Sequence, residues 1–202
     1  MNMNVDLFGT PVVSNDPTTK IKGLKYIPNY IDIVTEKKLI QEIDERTWIN
    51  DLKRRVQHYG YKYDYRARRI DLSMRIGDLP NWANDIATRL KEDGYFNNIP
   101  DQVIVNEYLP GQGISPHIDC QPCFEDTIIS LSLASDTTMM FTNENTNEKI
   151  PVILRKRSLV VLKDDSRYIW KHSISARKSD KIDGKTVKRQ RRISLTFRSV
   201  IL

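Results

Sequence analysis

Cysteine, histidine and glycine are scarce in this chain of 202 residues, which holds two, three and eight of them. Cys120 and Cys123 form one C-x-x-C with no second pair, which argues against a disulfide-built scaffold and against a four-thiolate zinc site. No stretch approaches the ~18 apolar residues that a membrane span needs. The start MNMNVDLFGTPVV lacks the basic segment and apolar core of a signal peptide. These gaps predict a protein that stays intracellular, cytoplasmic or nuclear, in a reducing setting and without a membrane partner. No internal repeat or low-complexity tract is visible.

What is present is charge. Lys and Arg number 32 against 26 Asp and Glu, a formal net charge of +6. The excess is clustered: seven basic residues fall between Lys53 and Arg69, and eight between Arg177 and Arg192. Such clusters point to an anionic partner, nucleic acid foremost.

Residues 1–23 are polar, carry Pro11 and Pro17, and read as a loosely packed arm; one domain is expected over 24–202. Leu39, Ile40 and Ile43 share one helical face, with Thr35 as the expected N-cap. A second helix is predicted from Pro80 through Trp82, Ile86 and Leu90, ending at Gly94. Beyond it, short stretches rich in Val, Ile, Tyr and Thr predict strands at 102–108, 127–134, 138–142, 150–155, 158–163, 168–175 and 191–200. The segment 143–149 reads as a hairpin connection and 177–190 as a charged loop. Helices followed by many short strands predict an α+β fold, a jelly-roll core buttressed by N-terminal helices.

The scarce histidines are informative. His117-Ile118-Asp119 and, further on, His172 supply two imidazoles and a carboxylate, the facial set of non-haem Fe(II) oxygenases. Side chains two apart on a strand share a face, so His117 groups with Asp119, Asn106 with Tyr108, and Arg192 with Ser194, Thr196 and Arg198. Arg pairs well with carboxylates because its planar fork donates two parallel hydrogen bonds. Arg192 and Arg198 would lie roughly 20 Å apart along a strand at ~3.3 Å per residue, so one small ligand is reached only by their long side chains. Taken singly, H-x-D is more often a pair of satisfied strand residues and R-x5-R a solvated face. In this order they reinforce one another.

Asn106-Glu-Tyr108, the loop Leu109-Pro-Gly-Gln-Gly113 leading back to His117, Ser166-Arg167 ahead of His172, and Arg192-Ile-Ser-Leu-Thr-Phe-Arg198 together resemble the AlkB family of Fe(II)/2-oxoglutarate dioxygenases. The resemblance covers roughly 95–200 and extends more weakly to about 24. The wording from Pro100 to Asp119, with Phe124-Glu-Asp126 and Ser130-Leu-Ser-Leu133, is most similar to the branch that contains the tRNA wobble-uridine hydroxylases. The resemblance implies a double-stranded β-helix, Fe(II) at His117, Asp119 and His172, 2-oxoglutarate held by Asn106, Tyr108, Arg192 and Arg198, and O2 as co-reactant. Ser194 stands where some relatives carry Asn, and Gln121 where the bacterial founding member has an acidic residue.

The resemblance also implies a substrate-recognition lid, expected over about 53–75. There Tyr59, Tyr61, Tyr63 and Tyr65 alternate as one aromatic face would on a strand, offering base stacking, with Arg54, Arg55 and Arg66 beside them and Lys178 on the later loop as phosphate contacts. The alternative is an edge hairpin whose tyrosines cover the core. The expected reaction is oxidative dealkylation of N-alkylated bases in DNA or RNA by a monomer. Hydroxylation of a modified wobble uridine in tRNA is the alternative; an inactive binding module and a protein-directed oxygenase rank lower.

Overall fold

The computed structural model describes residues 16–50, 53–64 and 67–202. Two sheets are stacked among them. The larger runs β1 (Leu24–Ile27), β8 (Leu159–Leu162), β5 (Ile128–Leu133), β12 (Arg192–Arg198), β3 (Gln102–Tyr108), β2 (Val56–Tyr59). The smaller runs β4 (Ile114–His117), β9 (Trp170–Ile174), β6 (Thr137–Asn143), β7 (Lys149–Leu154). Each pairing is antiparallel, giving the double-stranded β-helix expected.

The two faces of the larger sheet serve different cores. On β12, Ile193, Leu195 and Phe197 point outward to helices α1 (Ile33–Asp44) and α2 (Asn81–Glu92), where Ile43, Trp82, Ile86 and Leu90 meet them. Each such side chain, fully buried, contributes about 1.5–3 kcal/mol. The other face meets the smaller sheet through Tyr108, Ile128, Val160 and Leu162 against Phe141, Val152, Leu154 and Trp170. Polar residues of β3 and β12 turn into this inter-sheet space, and the site forms there.

Several expectations change. The N-cap of α1 is Asp32, whose carboxylate accepts from the Thr35 backbone N–H at 2.7 Å. The helix starts earlier than its apolar spacing suggests because Ile33 and Val34 in its first turn are exposed. The arm is packed from Asp16 onward: Pro17–Lys20 form a 3-10 turn and Ile21 is buried in the inter-sheet core. Residues 1–15, the rest of that arm, lie outside the described residues. The loop expected at 177–190 is a hairpin of β10 (Ser179–Ile182) and β11 (Lys185–Lys188). Its two-residue turn, Asp183-Gly184, has both residues at positive φ, the geometry that an Asp-Gly pair favours.

The lid region divides in two. Val56–Tyr59 is an edge strand paired with β3. It ends at Gly60, whose φ is +77° and where a Cβ would lie 1.8 Å from the Asp101 carbonyl oxygen. The chain then turns across the smaller core, with Tyr63 and Ile70 packed on it.

Candidate active site

β4 and β9 pair with His117 opposite His172, ring centroids 4.3 Å apart. His117 donates from Nδ1 to the Ser115 carbonyl at 2.8 Å, which leaves Nε2 with a free lone pair. His172 Nε2 lies 3.5 Å from Asp119 Oδ2, and one ligand atom from each of the three residues falls within 4.8 Å of the others. Strand parity is not what brings Asp119 in, because β4 ends at His117. The following loop is held by α3 (Asp164–Tyr168): Arg167, 2% exposed, donates to the carbonyls of Asp119 (3.0 Å), Cys120 (3.2 Å) and Phe124 (3.4 Å).

Burial pushes the His172 imidazole down to about 3, and His117 beside it adds to the effect. The ring is therefore neutral at physiological pH, and its contact with Asp119 is polar rather than ionic. Burial alone would raise Asp119, but Arg198 above all, with Arg167 behind it, holds its carboxyl well below the usual range. Arg198 Nη2 stands 2.5 Å from Asp119 Oδ1. Two imidazoles and a dependable carboxylate form a donor set suited to Fe(II) with positions left open.

The register places Arg192 opposite Tyr108 and Ser194 opposite Asn106, so all four face one cavity of about 480 Å³ together with His117, Asp119, His172 and Arg198. Arg192 is 2% exposed and, among the described residues, gives one bond, Nη2 to Ser132 Oγ at 2.8 Å; its Nε and Nη1 find no acceptor there, nor does Nε of Arg198. Burial lowers the Arg192 guanidinium to about 10. A buried cation with two idle N–H groups is matched by an incoming carboxylate, so the cavity fits a dicarboxylate beside the metal ligands. Asn106 accepts from Arg54 Nε at 2.8 Å through its side-chain oxygen. Ser194 bonds Ser130 at 2.8 Å across the floor.

The expected substrate contacts are not all brought together. Arg54 lines the cavity, whereas Arg55 is turned away, stacked on Trp48 and paired with the buried Glu107. Tyr59, Tyr61 and Tyr63 do not form one face, because the strand stops at Gly60. Tyr59 packs edge-on against Trp82 at 5.3 Å and Tyr61 is buried, so neither lines the cavity. Tyr63 does, its ring 5.8 Å from Phe124. Tyr65 and Arg66 lie outside the described residues. Lys178 is exposed at the root of the β10–β11 hairpin, away from the cavity lining. Lys53 and Arg68 line the mouth without having stood out in the sequence; both belong to the basic cluster, which gave no way to rank its members. Arg167 appears in the sequence only as half of a motif, with no charge partner to mark its role.

Cys120 and Cys123, read from sequence as thiols, are joined in a disulfide directly after Asp119. Their sulfurs lie 3.1 and 3.4 Å from the Arg68 carbonyl oxygen, so the ligand loop and the covering segment meet there.

The profile of the 2OG-Fe(II) oxygenase superfamily matches residues 23–198. "Uncharacterized protein L905" of Acanthamoeba polyphaga mimivirus is 41% identical, over 90% of this chain and 86% of its own length. The "Alkylated DNA repair protein ALKBH8 homolog" of Arabidopsis thaliana is 37% identical, over 94% of this chain. The "tRNA (carboxymethyluridine(34)-5-O)-methyltransferase alkbh8" of Xenopus tropicalis is 36% identical, over 88% of this chain. The chain spans 62% of the Arabidopsis protein and 32% of the Xenopus one. Among solved structures, that of OsALKBH1 superposes with a TM-score of 0.65 at 16% identity, covering 88% of this chain and 96% of that one.

Proposed function

Because the chain belongs to the 2OG-Fe(II) oxygenase superfamily, within its AlkB family, we propose that this dioxygenase hydroxylates a carbon-bonded substituent on a modified uridine in tRNA. The observation that carries the choice of base is the sign of the cavity's charge. Among the described residues lining it, Asp119 is the one carboxylate, and Arg198 already pairs with it, while Lys53, Arg54 and Arg68 stand at the mouth. Bases alkylated on a ring nitrogen often carry a positive charge and would enter against these cations. A neutral pyrimidine, or one with an acidic substituent, meets no such barrier. The printed name of the Xenopus relative refers to a carboxymethyluridine at position 34 of tRNA.

In this reading His117, Asp119 and His172 hold Fe(II), and Arg192, Tyr108, Asn106 and Arg198 hold 2-oxoglutarate. With both bound, the site couples decarboxylation of 2-oxoglutarate to succinate and CO2 with transfer of one oxygen atom of O2 into a substrate C–H bond. The residues position and shield that chemistry. His117 is kept in the metal-binding tautomer by Ser115. Arg198 keeps Asp119 ionised, and Arg167 keeps its backbone in place. Ile104, Ile128 and Leu162 give the cavity apolar walls.

Dealkylation is the second reading, favoured by the Arabidopsis relative's name. If the oxidised carbon is bonded to nitrogen, the product collapses to formaldehyde and the free base; if bonded to carbon, the alcohol survives. Mass analysis after incubation with Fe(II), 2-oxoglutarate, modified tRNA and alkylated DNA or RNA separates them. Gain of one oxygen on a tRNA uridine is expected, and loss of an alkyl group from a ring nitrogen would reverse the order.

A further inference from the structure

The β10–β11 hairpin forms a small sheet of its own beside the core, and its charge balance is unusual. Its acidic residues are neutralised within the fold. Asp180, 2% exposed, accepts from Arg189 Nε at 2.6 Å and Nη2 at 2.9 Å and from Arg177 Nε at 2.8 Å, and it takes the Thr137 hydroxyl on β6 at 3.1 Å. Asp183 at the turn accepts from Arg155 Nη2 at 2.5 Å. Lys178, Lys181, Lys185 and Lys188 are exposed, and none of them makes an ion pair among the described residues. The hairpin thus presents four uncompensated ammonium groups on a frame pinned at its root by Asp180 and at its turn by Asp183.

That frame is tied to the mouth of the cavity. Arg189 Nη1 donates to the carbonyls of Ser175 at 2.7 Å and Gln112 at 3.2 Å, and the Gly111 N–H donates to the Arg177 carbonyl at 3.1 Å. The Gln112 side chain in turn donates to the Lys53 carbonyl at 2.8 Å, and Lys53 and Gly113 line the cavity. Gly113 is held so close to β9 that a Cβ there would lie 2.1 Å from the Ile174 carbonyl oxygen. A continuous set of short bonds therefore fixes the distance between the lysines and the metal ligands.

We propose that this hairpin is a docking rib for the phosphodiester backbone flanking the base in the cavity. It rests on the reading that the substrate is a nucleic acid. Lysine suits such a rib because its ammonium is a point charge that accepts a phosphate from many directions, which fits contact without sequence readout. Since the rib is held in place before binding, little ordering cost is set against the contacts.

The test compares the protein with a variant carrying Lys178→Gln, Lys181→Gln, Lys185→Gln and Lys188→Gln, and with one carrying Lys→Arg at the same four positions. Binding of a single-stranded RNA and of tRNA is measured by fluorescence anisotropy across a KCl series, with thermal melting as the control for folding. Lys181 and Lys188 share one face of the hairpin and Lys185 the other, so two to four phosphate contacts predict that the Gln variant's slope of log K against log salt is shallower by about 1.4–3, and its affinity at 0.1 M salt lower by roughly 25- to 600-fold. The Arg variant should keep the original slope. If the protein binds RNA with a steep salt slope and the Gln variant binds identically, the docking rib is refuted while the nucleic-acid reading stands. If the unaltered protein binds neither RNA, both fall. Lysine-dependent binding to phosphatidylserine vesicles but not to RNA would assign the hairpin to a membrane surface and also overturn the proposal.

Discussion

Replacing Arg192 with Met should stabilise the ligand-free protein and abolish its grip on 2-oxoglutarate. The guanidinium is 2% exposed, its Nε and Nη1 lack acceptors among the described residues, and burial has lowered it from its ordinary value to about 10. Because the folded value lies below the unfolded one, the penalty is fully present at neutral pH and fades only as pH rises above about 10. That drop corresponds to about 3 kcal/mol. Loss of the Ser132 bond returns about 1 kcal/mol, leaving a net gain of about 2 kcal/mol, or about 4–8 °C in Tm for a chain of this size. Met fills much of the volume without a charge, the kind of exchange that often stabilises a buried site. Two charge-assisted bonds to a carboxylate, at about 1.5–3 kcal/mol each, predict a Kd for 2-oxoglutarate weaker by about 10²–10⁴-fold. Calorimetric titration of 2-oxoglutarate into the Mn(II)-loaded protein measures the second effect, and melting curves without ligand the first. An affinity within about threefold of the original, joined to a fall in Tm, would show that the idle N–H groups are not waiting for this carboxylate.

Asp119→Ala should abolish succinate formation and metal-dependent thermal stabilisation; full turnover in that variant would remove Asp119 from the metal site. Tyr61→Ala should cost about 3–5 kcal/mol in denaturant titration because the ring is buried. Tyr63→Ala should instead raise KM for the nucleic acid while leaving 2-oxoglutarate affinity unchanged, and the reverse pattern would exchange their roles. Asp180→Asn should destabilise the protein by about 3–5 kcal/mol and speed hydrogen exchange over 179–188. Burial alone would raise Asp180, but Arg189 and Arg177 hold it low, so its contribution is present above about 3.9 and is lost as pH falls through its lower folded value. An acid-unfolding midpoint identical in the Asn variant would contradict that.

Period-two alternation makes β12 legible in the sequence: Ile193, Leu195 and Phe197 go to the helices, Arg192, Ser194, Thr196 and Arg198 to the cavity. Both faces are buried, so a slip of one residue would bury four charged or polar groups in a greasy core. The same rule misled at Tyr59–Tyr65, where alternation continues past Gly60 but the strand does not; a single positive φ outweighs side-chain pattern. It also gave the correct neighbour for His117 by the wrong route. Asp119 reaches the site through a loop whose shape depends on Arg167, a long-range contact without periodic signature. At 177–190 charge density hid a two-residue turn, Asp183-Gly184, that was legible by its own chemistry.

Arg167 grips the loop after His117 entirely by main-chain oxygens, those of Asp119, Cys120 and Phe124. Every amino acid supplies such an oxygen. Between the disulfide cysteines, the exposed Gln121 and Pro122 can therefore change their side chains without surrendering the path of the loop. The device separates inheritance of the iron ligand from inheritance of what surrounds it. Libraries randomised at Gln121 and Pro122 should accordingly retain metal-dependent thermal stabilisation at high frequency, which makes this short stretch the place to vary the loop without losing the iron site.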